Sequence, residues 1–269
     1  MRVCIIGMGE IGLGLYRAME RFPFHELTGM DIDVQKVNAL KKAGVRATTQ
    51  LPLNQDVYVV AVLTSDQVKH VLANNIFPPH ALIVVESTLA PGTSREIIKN
   101  KPHLKLVIFP HRFNPDTADE HGFLNVNKDY TRVIAASTPA VLGEALAFYS
   151  TYMDTSFLHQ TSMEIAELCK PLENAYRFVE IAIAEELKML SEHAGIDFTA
   201  LRAAVNTKWN IDIKEARDGV GRHCLPKDIR IINQYFGQNI FFHVAQAIDE
   251  RYKSALPSMK TLNPQILEK

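Results

Sequence analysis

The chain has 269 residues, 47% of them hydrophobic, and a formal net charge of −1. That length supports one or two packed cores, and a charge so close to zero excludes a global pull toward nucleic acid or an anionic membrane. Cys4, Cys169 and Cys224 are too few and odd in number for a disulfide framework and fit a reducing cytosol, so a cytoplasmic location is expected; the apolar run at residues 1–7 is too short for a signal peptide, and no apolar stretch is long enough to span a bilayer.

Residues 2–6 are a short apolar run, and the glycines that follow mark it as a strand. Gly7-Met8-Gly9-Glu10-Ile11-Gly12 comes next and opens a helix-like segment over residues 13–20. Each glycine has a separate physical task. Gly7 permits the tight turn, Gly9 lets the backbone approach a pyrophosphate, and Gly12 lets the helix pack on the strand. The helix N-terminus adds free amides and a partial positive charge for that pyrophosphate. A second strand, residues 26–30, ends at Asp31, which follows Gly12 by 19 positions. The spacing is close to that of an acid that binds the adenosine ribose. Such a carboxylate would repel a 2′-phosphate, so NAD is expected rather than NADP. Asp31 is also a candidate helix N-cap.

Further buried strands are predicted at 56–62, 81–86, 105–109, 131–136 and 156–158. Amphipathic segments near 34–43, 66–75, 92–100 and 139–152 supply the intervening helices. The alternation predicts an α/β fold with a Rossmann-type doubly wound sheet, with ligands at the carboxyl ends of its strands. Thr64, Ser87 and Thr88 stand at such ends, either as ligand groups or as ordinary turn hydroxyls. From Met163 to His193 the apolar spacing predicts one long helix, in which Pro171 marks a kink or a boundary. Lys170 and Asn174 share a face of it by their i,i+4 spacing. Further helices are predicted over 198–206, 226–236 and 241–254. The expected organisation is a cofactor domain over 1–160, a helical central and dimerisation domain over 161–256, and a tail over 257–269.

Cys224 lies in Gly219-Val220-Gly221-Arg222-His223-Cys224-Leu225-Pro226-Lys227-Asp228. The glycines allow close approach to a ligand. His223 and Lys227 place positive charge near a thiol whose thiolate is the attacking form. The competing reading is a buried structural cysteine beside a helix start, with Pro226 in the first turn.

Four ordered segments resemble the UDP-glucose/GDP-mannose dehydrogenase family. They are Asp31-Ile32-Asp33-Val34-Gln35-Lys36-Val37, Glu86-Ser87-Thr88-Leu89-Ala90-Pro91-Gly92-Thr93, Ala166 through Ala175 around Lys170 and Asn174, and Gly221 through Asp228. The resemblance implies oxidation of a sugar primary alcohol to a carboxylate with two NAD. It implies that Cys224 traps the aldehyde as a thiohemiacetal and that a second hydride transfer leaves a thioester for water to cleave. Lys170 and Asn174 would stabilise developing negative charge on the reacting oxygen, and Asp228 would assist proton transfer and place water. Gly7, Gly9, Glu10, Ile11, Gly12, Asp31, Lys36, Thr64 and Thr88 would hold NAD; no metal is implied.

Three departures from the family's pattern stand out. The sequence stops where the family's central module ends, so the C-terminal domain that helps grip the nucleotide part of the substrate is expected to be missing. In the segment Pro110-His111-Arg112-Phe113-Asn114, His111 stands where the family carries a glutamate associated with thioester hydrolysis, either as a substitute base or as an ordinary loop histidine. Arg222 replaces a glycine before His223. Two other functions remain open: a one-step 3-hydroxy-acid dehydrogenase in which Cys224 is dispensable, and a non-catalytic NAD-binding regulator. A homodimer is expected, because the long helix is partly apolar on both faces and Phe241 and Phe242 lack an evident cover.

Overall fold

A computed structural model of the chain describes residues 1–22, 25–112, 124, 126–128, 130–221, 224–237 and 239–262. It divides into two compact units, Met1–Lys170 and Pro171–Lys269.

The first unit begins with β1 (Arg2–Ile6), α1 (Glu10–Glu20), β2 (Glu26–Met30), α2 (Val34–Lys42), β3 (Ala47–Thr48) and β4 (Val57–Val60). It continues with α3 (Ser65–Asn74), β5 (Leu82–Val85), α4 (Thr93–Asn100), β6 (Lys105–Ile108), β7 (Arg132–Ala136), α5 (Pro139–Tyr149) and β8 (Leu158–Gln160). The strands form one sheet in the order β3-β2-β1-β4-β5-β6-β7-β8. The order reverses beside β1, where β4 rather than β2 continues the other half. That reversal opens a crevice at the carboxyl edge of β1 and β4.

Both faces of the sheet are buried, which is why its central strands read as unbroken apolar runs. In β1, Val3 and Ile5 enter one hydrophobic cluster while Cys4 and Ile6 enter the other, the period of two expected of a strand. Cys4 is fully buried, and burial pushes its thiol up to about 12. Helix starts are fixed locally. Asp33 accepts from the amides of Gln35 and Lys36 to cap α2. Thr64 and Gln67 form a reciprocal capping box on α3, and Thr138 caps α5 ahead of Pro139.

The sheet departs from the sequence reading at three points. β7 runs antiparallel to β6, with Ile108 opposite Ala135. A parallel return needs a crossover, usually helical, and the sequence shows no amphipathic segment between these two strands. β3 is only two residues long and carries no periodicity to detect. The last strand is displaced to Leu158–Gln160, because Asp154 caps a 3-10 turn over Thr155–Phe157.

The second unit takes most of the long helix α6 (Met163–His193), then α7 (Phe198–Val205), α8 (Cys224–Phe236) and α9 (Ile240–Leu262). α6 runs through Pro171 without a break in its helical assignment, and the division between the units falls at that residue. α9 likewise continues through Pro257, eight residues beyond the predicted end. A small core of Ala184, Ala216 and Tyr252 holds these helices to the loop before α8. The Tyr252 hydroxyl donates to the Arg217 carbonyl at 2.6 Å.

Within the first unit, the start of α4 has an unusual cap. Its N-cap residue is Gly92, which supplies no side chain. The buried carboxylate of Glu167 on α6 does the work instead, accepting from the Gly92 amide at 3.0 Å and from the Ser94 amide. A helix N-terminus left without such a partner loses stability. Glu167→Ala is therefore expected to destabilise the chain by about 1–3 kcal/mol, read as a lowered urea midpoint with an unchanged denaturant slope.

Candidate active site

The carboxyl edge of β1 is shaped by glycines that the packing requires. Gly7 has φ of +91°, and a Cβ there would lie 2.6 Å from the Ala61 carbonyl oxygen. A Cβ on Gly12 would lie 1.8 Å from the Gly7 carbonyl oxygen. Neither position admits any other residue without moving backbone. Gly9 is different, because a Cβ there would meet nothing within 4 Å. It is the N-cap of α1 and makes no side-chain cap, so open space lies over a helix N-terminus whose first amides lack helical partners. That is the shape and polarity a pyrophosphate needs.

Asp31 closes the cradle at the end of β2. One oxygen accepts from the Met8 amide at 2.9 Å and from Lys36 Nζ at 3.0 Å, and the other accepts from the Asp33 amide at 3.0 Å. Burial works to raise its pKa, but the bonds from Asp33, Lys36 and Met8 outweigh it and the net shift is downward. The cap of α2 is Asp33, not Asp31, so the second role considered for Asp31 belongs two residues on. Glu10 is exposed and Ile11 half-buried at the first turn of α1. Thr64 spends its hydroxyl on the capping box of α3. Ser87 accepts from the Val62 amide and donates to the Val60 carbonyl, which is turn chemistry. Thr88 is half-buried at the end of β5. The glycines, the helix start and the acid together fit a dinucleotide.

Beside this cradle, β5 ends in a buried ionic network that the periodicity does not announce. Glu86 is 2% exposed. Its Oε2 accepts from Arg132 at 2.6 Å and from His111 Nδ1 at 2.9 Å, and its Oε1 accepts from the Tyr149 hydroxyl at 3.1 Å. The Arg132 guanidinium also lies 3.6 Å over the Phe109 ring. Burial alone would raise the pKa of Glu86, but Arg132 and His111 outweigh it and hold the carboxyl ionised. His111 is shifted down, first by its own burial and also by the charges of Arg132 and Lys170, against the pull of Glu86. Its bond to the carboxylate assigns the ring proton to Nδ1. The one hint in the sequence was a charge at the end of β5 and another inside β7, since charges embedded in buried runs are almost always paired.

Lys170 is half-buried at the end of the first unit. In the second unit Asn174 and Asp228 are both buried, and Asn174 Nδ2 donates to Asp228 Oδ2 at 2.5 Å. Lys227 Nζ stands 3.3 Å from Asp228 Oδ1. Cys224 is exposed at the first position of α8, one turn before Asp228 on the same helical face. The buried structural reading of Cys224 is thereby excluded, and it applies to Cys4 instead. The readings placed on Phe113, Asn114, Arg222 and His223 lie outside the described residues. Among the described residues, no group of three His, Cys, Asp or Glu side chains could hold a metal ion.

A doubly wound sheet with a glycine cradle at its reversal point is the architecture of a Rossmann-type fold. Residues 164–251 match the central domain of the UDP-glucose/GDP-mannose dehydrogenase family. That match takes in two of the four resembling segments, the one around Lys170 and Asn174 and the one around Cys224. It is 26% identical to the UDP-N-acetyl-D-mannosamine dehydrogenase of Methanocaldococcus jannaschii, over 84% of this chain and 60% of that protein. It is 25% identical to the UDP-N-acetyl-D-glucosamine 6-dehydrogenase of Pseudomonas aeruginosa, over 90% of this chain and 65% of that protein. The solved UDP-N-acetyl-mannosamine dehydrogenase of Staphylococcus aureus shares its fold, with a TM-score of 0.82, 22% identity, and coverage of 100% of this chain and 72% of that one. A 3-hydroxyisobutyrate dehydrogenase structure from Mycobacterium tuberculosis also shares the fold at a TM-score of 0.73 and 14% identity, over 95% of this chain and 94% of that one. The chain spans about three-fifths of the length of the first two relatives it matches.

Removing one partner of a buried ion pair leaves the other charge stranded. Arg132→Leu is expected to cost about 3–5 kcal/mol in unfolding free energy, whereas Arg132→Lys retains part of it. Denaturant unfolding of both variants checks the difference.

Proposed function

We propose that this chain is the cofactor-binding and thiol-bearing part of an NAD-dependent dehydrogenase that oxidises a sugar-nucleotide alcohol, in two steps, to the carboxylate. The observation that carries the reading is an exposed Cys224 at the start of α8, one turn from a buried Asp228 that Asn174 holds. The match of this segment to the family's central domain supports it, as do the names of the relatives.

Gly7, Gly9, Gly12 and the start of α1 would hold the pyrophosphate of NAD, and Asp31 the ribose hydroxyls, with Glu10, Ile11, Lys36, Thr64 and Thr88 around them. Bound NAD would supply the hydride acceptor. After the alcohol has lost its first hydride and proton, Cys224 Sγ adds as thiolate to the aldehyde carbon, and the carbonyl oxygen becomes the hydroxyl of a thiohemiacetal. Loss of a second hydride and that hydroxyl proton leaves a thioester. Water adds, the carbon–sulfur bond breaks, and carboxylate and thiol are released. Lys170 and Asn174 stabilise the negative oxygen as it forms. Asp228 accepts and returns protons and orients water. His111, fixed by Glu86, is the candidate for the hydrolytic base in place of a carboxylate.

The organisation expected from the sequence goes with this reading: a cofactor domain over 1–160 and a catalytic and dimerisation domain over 161–256. Tyr235, Phe236, Ile240, Phe241 and Val244 leave large apolar side chains exposed on α8 and α9, and a second copy of the chain covering them makes a homodimer. Among the described residues no helix is long and apolar enough to cross a membrane, and a cytoplasmic site of action suits a free reactive thiol.

Cys224→Ser is expected to cut turnover on a sugar nucleotide on the order of 100-fold, equivalent to roughly 2.7 kcal/mol. NADH formation follows it, with iodoacetamide-treated wild type as the parallel control. Full activity in the variant, with one NADH per substrate, would instead support a 3-hydroxy-acid dehydrogenase. Tight NAD binding without turnover would support a regulator. Asp31→Ala is expected to weaken NAD binding about tenfold, or roughly 1.4 kcal/mol, in a fluorescence titration.

A further inference from the structure

Two ionisable side chains of α9 meet on the turn at Gly219 and Val220, and a third lies near them on α6. Asp249 of α9 is buried, and its Oδ1 accepts from the Val220 amide at 2.7 Å. Its Oδ2 accepts from Lys253 Nζ at 2.8 Å, and the same Nζ donates to the Val220 carbonyl at 2.9 Å. Both backbone groups of Val220 are thus held by one pair of side chains spaced i,i+4 on α9. Gly219, with φ of +87°, lies so close that a Cβ would come within 2.4 Å of Lys253 Cε. Five residues after Gly219, the helix opens at Cys224.

Glu185 of α6 is fully buried, and neither of its carboxyl oxygens receives a hydrogen bond from a described donor. Burial and the neighbouring charge of Asp249 push its pKa up to about 8, against the pull of Lys253. A carboxyl beside a carboxylate can bond to it only by carrying a proton. The raised pKa leaves Glu185 holding a proton at neutral pH, beside the carboxylate that Lys253 pairs. The other charged groups nearby on these two helices are engaged elsewhere: Glu186 with Arg251, and Lys188 over the Tyr252 ring.

We propose that Asp249 and Lys253, with Glu185 buried behind them, are positioning residues that clamp the Gly219–Val220 turn and thereby fix where Cys224 presents its thiol. The proposal deepens, and for its functional meaning rests on, the role given above to Cys224. None of the three residues touches the reacting atoms. The clamp is sensitive to protons in a definite direction. Glu185 titrates higher in the folded chain than the ordinary value of 4.5, so the folded state keeps a proton that the unfolded state gives up. The stabilisation is complete below that ordinary value and is lost as pH rises through about 8.

The test is amide hydrogen exchange on the intact chain between about pH 6.5 and about pH 9, corrected for intrinsic base catalysis, with alkylation of Cys224 by iodoacetamide followed by peptide mass spectrometry. In the wild type, protection of the Val220 amide is expected to fall at least about tenfold across this range, and Glu185→Gln to abolish the fall. Asp249→Ala is expected to lower Val220 protection at least about tenfold at pH about 7 and to change the Cys224 alkylation rate at least about threefold, with Asp249→Asn restoring part of both. Should Asp249→Ala fail to fold, Asp249→Asn and Glu185→Gln carry the comparison. Val220 protection that stays flat with pH in the wild type overturns the proposal, as does a Cys224 alkylation rate untouched by the Asp249 variants. Because both readouts need no substrate, a chain that shows them but turns over no sugar nucleotide would sink the oxidoreductase reading and leave the clamp standing.

Discussion

A missing side chain at Gly12 sets the geometry of the sheet's carboxyl edge. The Gly7 carbonyl oxygen occupies the space that a Cβ at residue 12 would need. Only because that space is empty can α1 start directly above the end of β1. Gly7 in turn fits against Ala61 at the end of β4, the strand across the sheet's reversal point. Asp31 then ties the same turn to the end of β2 through the Met8 amide. Three strand ends are drawn together around one gap, and the open position over Gly9 is what the crowding at Gly7 and Gly12 leaves behind.

Local constraints of this kind were legible in the sequence. Gly7, Gly12 and Asp31 lie close together in the chain, and their spacing predicts the tight turn and the close helix start that the structure shows. The long helix was legible for the same reason, since a period of 3.6 sustained from Met163 to His193 leaves little room for another reading. What resisted reading depends on partners far apart in the chain. Glu86 and Arg132 are 46 positions apart, one just past the end of β5 and the other at the start of β7, and no motif links them. The cap that Glu167 gives to α4 joins residues more than 70 positions apart. The exposure of Cys224 was likewise undetermined, because glycines and a helix start suit a buried thiol as well as a reactive one.

The two units handle buried charge differently. In the first, Glu86 is surrounded by donors, and both its carboxyl oxygens are satisfied with the carboxyl ionised. Geometry, not proton uptake, settles its state. In the second, Glu185 has no donor among the described residues and is settled by holding a proton. A carboxylate held by three donors stays ionised across the neutral range, while a shared proton is removable. The first arrangement suits a fixed cofactor platform, and the second sits where the chain carries its exposed thiol.

The sheet's two flanks are of unequal origin but of similar brevity: β3 contributes two residues and β8 three. A long bare flank offers unpaired amides and carbonyls in register, which another chain can extend into a ribbon. Flanks this short present almost no template. The inner strands β4 and β5 are almost wholly valine, isoleucine and leucine, and outer strands this clipped give another chain little backbone on which to extend so apolar a sheet.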